Sequence, residues 1–89
     1  MSPVWHIQIT GVHTLQEKHR AGDITLKELK DGVVDIIQKA VGYVEGDDLE
    51  LDEALDNIKD ATDVADYDEA KDELYDWADR ERVWIDPLL

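Results

Sequence analysis

Three histidines, His6, His13 and His19, are the conventional candidates for metal binding or general-base chemistry. Their spacings of seven and six residues make no two of them neighbours on a helical face, which requires i,i+3 or i,i+4. No HExxH-type cluster accompanies them. The single serine, Ser2, lies near the terminus, and neither a GxSxG elbow nor a glycine-rich phosphate loop occurs. Thr10, Thr14, Thr25 and Thr62 read as strand, cap and turn residues. Cysteine is absent, which removes disulfides, thiolate nucleophiles and Cys-based metal sites together. Calcium needs a direct test. An EF-hand register from Asp48 puts acids at positions 1, 3 and 5, but Glu53 replaces the glycine of position 6 and Lys59 the glutamate of position 12. A register from Asp66 reaches Ala70, Lys71 and Trp77 at positions 5, 6 and 12, so both registers fail. The expectation is a protein that is not an enzyme and holds no cofactor or dedicated metal.

The acidic residues carry a different kind of chemistry. Asp52, Asp56 and Asp60 recur at i, i+4, i+8, and so do Asp68, Asp72 and Asp76, with Glu69 and Glu73 alongside. On a helix rising 1.5 Å per residue, successive acids in each row stand about 6 Å apart. Two such rows side by side would approach the charge spacing of a nucleic-acid strand. Like charges at i,i+4 oppose helix formation, so the arrangement works against folding and hints at use. The plainer reading is a solvated face that keeps the protein soluble.

Charge is strongly polarised along the 89 residues. The net −14 lies wholly in residues 45–89, which hold eighteen acidic and four basic side chains, whereas residues 1–44 hold five of each. Such a balance favours basic partners and argues against direct nucleic-acid binding, which needs Lys and Arg on the phosphates. Acidic disorder is excluded by the regular aliphatic and aromatic punctuation of the acidic half: Leu51, Leu55, Ile58, Tyr67, Leu74, Trp77, Val83, Trp84 and Ile85. No apolar run approaches a membrane span and the N-terminus lacks signal-peptide regions, so a cytoplasmic location is expected.

The length suits one small domain over residues 1–89. Residues 4–10 alternate, with Trp5, Ile7 and Ile9 on one face and His6, Gln8 and Thr10 on the other, which predicts a half-buried strand ending at Gly11. Thr14 and Glu17 have capping-box spacing and predict a short helix to about Ala21, with Gly22 following it. Thr25 and Glu28 make a second box, with Ile24 and Leu29 as a hydrophobic staple, before a long apolar stripe that Gly42 closes. A third helix is predicted over 49–61. A fourth is predicted from about Tyr67 to Glu81, capped by Asp66 and Glu69. Residues 82–86 read as a short strand that Pro87 stops. The predicted class is α+β: about four helices packed on a two-stranded sheet formed by the N- and C-terminal strands, its direction open. An all-α domain with extended termini is the alternative.

Trp5, Trp77 and Trp84 read first as core. In the alternative reading Trp84, opposite in phase to Val83 and Ile85, faces outward as a binding anchor. The segments VWHIQITG, RAGDITLKEL and YDWADRERVWI together resemble small acidic orphan proteins of actinobacterial phages. The resemblance implies binding that inhibits or redirects a host protein in the host cytoplasm, and it assigns no site residues.

The sequence thus points to a protein-interaction module that meets a basic protein surface, without direct nucleic-acid or membrane contact. Its candidate residues are Asp52, Asp56, Asp60, Asp68, Glu69, Asp72, Glu73, Asp76 and Trp84. One alternative is a nucleic-acid mimic seated in the basic groove of a DNA- or RNA-binding protein. Another is an assembly subunit that oligomerises, for example as a homodimer, through a Trp-bearing strand edge. Halophilic acidity would spread around the whole surface, and the neutral first half argues against it.

Overall fold

The first and last elements of the described chain are short strands that pair with each other. In a computed structural model that describes residues 7–86, β1 (Ile7–Ile9) is followed by α1 (Val12–Arg20), α2 (Leu26–Val41), α3 (Leu49–Asp60), α4 (Val64–Arg80) and β2 (Val83–Ile85). The two strands pair in parallel, with Ile7 opposite Val83, Gln8 opposite Trp84 and Ile9 opposite Ile85. A two-stranded ribbon is marginal in water and must be covered. Here α2 packs on β1 and α4 on β2, while α3 lies against α4 and α1 against α2. The fold is therefore four helices packed on a sheet made by the terminal strands. Trp5, His6 and Pro87 lie outside the described residues.

Helices α2, α3 and α4 each bury the stripe that their apolar spacing demands, while α1 buries Val12. Val33, Ile37, Leu55, Ile58, Leu74 and Ile85 meet in one core cluster with almost no solvent contact. Full burial of such side chains supplies about 1.5–3 kcal/mol each, the main term opposing the chain's conformational entropy. Gly32 in α2 has a packing reason: a Cβ there would lie 2.8 Å from a Leu15 methyl carbon. The missing side chain lets α1 settle against α2, at the cost in helix propensity that a mid-helix glycine carries.

Helix starts follow two rules. Thr25 and Glu28 form the expected reciprocal box: Glu28 N–H donates to Thr25 Oγ1 at 3.2 Å and Thr25 N–H to Glu28 Oε1 at 3.1 Å. Gly42, left-handed at φ 64°, ends the same helix. The predicted Thr14–Glu17 box does not form, because α1 begins two residues before Thr14. Gly11 at its N-cap brings no side chain. Instead Asp86, just past β2, accepts the N–H groups of Gly11 at 3.3 Å, Val12 at 3.1 Å and His13 at 3.5 Å. Glu17 turns to Arg20, at 2.8 Å. The predicted Asp66–Glu69 box also gives way: α4 starts at Val64, and its cap is Asp63, which accepts Asp66 N–H at 2.8 Å. Finally, β2 starts at Val83 and excludes Arg82, which turns the chain at φ 59° in the left-handed region.

Candidate functional site: the acidic groove between α3 and α4

The acids of the second half do two kinds of work, and Asp66 takes part in both. The first group holds backbone. Asp48 caps α3 by accepting Leu51 N–H at 3.1 Å, and its second oxygen accepts the indole N–H of buried Trp77 at 2.8 Å. Asp52 accepts Gly46 N–H at 3.0 Å and the Tyr43 hydroxyl, tying the α2–α3 connection to α3. That hydrogen bond pushes the Tyr43 phenol up to about 12. Asp63 and Asp66 order the α3–α4 turn, where Asp66 accepts the Thr62 hydroxyl at 2.9 Å. Asp86 caps α1 as described. One cation answers from the neutral half: Lys30 Nζ donates to the carbonyls of Lys59 at 3.1 Å and Ala61 at 2.5 Å, where α3 ends and its dipole favours positive charge.

The second group faces solvent along the α3–α4 hairpin. Two shallow cavities of about 280 and 290 Å³ follow the seam between the helices. Glu50, Glu53 and Asp60 of α3 line them from one side, and Asp66, Glu69, Glu73 and Asp76 of α4 from the other. Only two cross-links neutralise or bridge these walls among the described residues: Arg80 to Glu50 at 2.5 Å, and the Asn57 amide to Glu73 at 2.7 Å. The groove is a row of carboxylates suited to bind ammonium and guanidinium groups.

The nine residues singled out from the sequence do not all share this face. Asp60, Glu69, Glu73 and Asp76 line the groove. Asp56 and Asp72 are exposed but line neither cavity. Asp52 is half-buried in the α2–α3 connection. Asp68 pairs with Lys71 at 3.4 Å and lines a separate cavity of about 250 Å³ beside α1, together with Gln16, His19 and Arg20. Trp84 is half-buried between buried Val83 and Ile85. Strict i+4 spacing explains the scatter, because each four-residue step turns about 40° past a full helical turn and so wraps around the helix. A straight face alternates steps of three and four. That pattern, 50–53–57–60 and 66–69–73–76–80, was readable and picks out Glu50, Glu53 and Asp66.

Beside α1, Gln16 donates to the Tyr67 hydroxyl at 3.2 Å, and Lys71 lies 5.9 Å from the ring centres of both Tyr67 and Tyr75. Burial raises both phenols, Tyr75 to about 12. Among the described residues no group of three or more His, Cys, Asp or Glu side chains is placed to hold a metal ion. None of their helices is long and apolar enough to cross a membrane. No family model matches the chain, and neither a curated protein nor a solved structure matches it.

Proposed function

We propose that this chain is a non-enzymatic protein-interaction module of the cytoplasm that binds a partner with a basic surface through the α3–α4 hairpin. The observation that carries the reading is the groove whose two walls present seven carboxylates against one guanidinium. Self-repulsion along these walls opposes folding, so a surface of this kind is best understood through a partner that relieves it. If the chain is the phage protein it resembles, that partner is a host protein and the outcome is inhibition or redirection of its activity. A nucleic-acid mimic would use the same walls but needs a regular, uninterrupted row of charge. Asn57 and Arg80, set into the seam, favour the simpler reading. Assembly through the Trp84 edge is separable by sedimentation, because it requires a concentration-dependent oligomer.

The test is affinity capture from the source cell's lysate with the wild-type chain and with a Glu69→Gln/Glu73→Gln/Asp76→Asn variant, washed at about 0.1 M and about 0.5 M salt. The reading expects a partner retained by wild type at low salt and lost with the variant. Equal retention by both chains contradicts it.

A further inference from the structure

The α2–α3 connection exposes aliphatic surface where the acidic half is densest. Val44, on the connection, is 58% exposed, and Leu49, the first residue of α3, is 73% exposed. Single exposed aliphatics are ordinary. These two differ because the connection is held in shape. Tyr43 N–H donates to Gln38 carbonyl at 2.9 Å, Asp47 N–H to Val44 carbonyl at 3.2 Å, and Gly46 N–H to Asp52. Val44 therefore stands outward as part of an ordered turn. Beside it lies a cavity of about 210 Å³ lined by Val41, Val44, Asp47 and Asp48 together with the buried Leu51 and Trp77.

Of the acids lining the cavity Asp47 is exposed, whereas both oxygens of Asp48 are already hydrogen-bonded, so the charge that selects an occupant lies on the surface around the opening. No Lys or Arg occurs between Lys39 and Lys59, while Glu45, Asp47, Glu50 and Glu53 all stand exposed in that interval. The cation brought in by the fold, Arg80, is engaged by Glu50. We propose that this connection docks a basic segment of a partner protein, one aliphatic side chain entering the cavity while flanking Lys or Arg residues meet the exposed acids around it. The proposal rests on the acidic-surface reading above and adds to it an apolar anchor in place of Trp84. Charge alone would give association that salt removes, whereas an anchor buried against Leu51 and Trp77 supplies contact that salt leaves intact.

Two synthetic probes test it: a short amphipathic Lys/Leu peptide, and the same peptide with every Leu replaced by Ser. Binding is followed by calorimetry and by the NMR signal of the Trp77 indole N–H. The expected result is binding of the Lys/Leu peptide about tenfold tighter than the Lys/Ser peptide, with the Trp77 signal shifted. A Val44→Ser/Leu49→Ser variant, altered only at exposed positions, should lose that tenfold and keep its affinity for the Lys/Ser peptide. Equal binding of the two peptides, or a preference that survives in the variant, overturns the anchor and leaves the acidic reading standing. Binding of neither peptide overturns both.

Discussion

Acidic residues do different work in the two halves of this molecule. In the first half two of them meet a base at short range, Glu17 with Arg20 and Asp35 with Lys39 at 3.0 Å, and one, Glu28, accepts backbone N–H to complete the box of its own helix. In the second half five aspartates, Asp48, Asp52, Asp63, Asp66 and Asp86, accept backbone N–H groups and build the turns. Many of the remaining acids face water without a basic neighbour. The fold thus needs some of its negative charge and tolerates the rest. What exceeds the architectural need is the part a partner would read.

The sharpest break in this division comes from Asp48→Ala. It removes the α3 cap, worth about 1 kcal/mol, and leaves the buried Trp77 indole without an acceptor, a further cost of about 1–3 kcal/mol. Urea unfolding should register a combined loss of about 3 kcal/mol. Asp86→Ala comes next, at about 2 kcal/mol for a cap that serves three donors. Hydrogen exchange should then show α1 amides losing protection while α2, with its own box, keeps it. Asp86→Asn retains an acceptor and should lose less.

That contrast also shows what the sequence can reveal. Thr25, Glu28, Ile24 and Leu29 lie within six residues, so the start of α2 is written locally. The start of α1 is not, because its cap arrives from a residue 74 positions away and exists only once β1 and β2 have paired. The four helices and the meeting of the terminal strands follow from periodicity and turn residues; strand direction does not, since neither strand encodes its neighbour. At α4, Asp63 and Asp66 both stand three residues before another acid. Propensity alone does not choose between them, and in the structure the cap is Asp63. The acidic groove was half legible: the two acidic helices were apparent, but the acids that line the seam follow the three–four alternation and only partly the i+4 rows.

A smaller effect separates the architectural acids from the free ones at high pH. Tyr43 is held at about 12 in the fold against its ordinary value of 10.0, chiefly by its hydrogen bond to Asp52. The folded protein therefore keeps a proton that the unfolded chain gives up. The associated stability is complete below pH 10 and is lost as pH rises toward about 12. Phenolate absorbance should show Asp52→Asn drawing the Tyr43 titration back toward its ordinary value. Asp72→Asn should leave that titration unchanged. Smallest of all is the effect of Asp56→Asn on stability, expected within about 0.5 kcal/mol in either direction by urea unfolding, as for a surface site without partners.

The central claim, that the solvent-facing acids serve binding at the expense of the fold, is tested most directly by one paired thermal melt. Wild type and the Glu69→Gln/Glu73→Gln/Asp76→Asn variant are melted at low salt, alone and with the Lys/Ser peptide. The account predicts that the variant melts higher than wild type when alone, because self-repulsion has been removed, and gains less from the peptide, because ligand stabilisation follows affinity. A variant that melts no higher alone and gains as much from the peptide would contradict it.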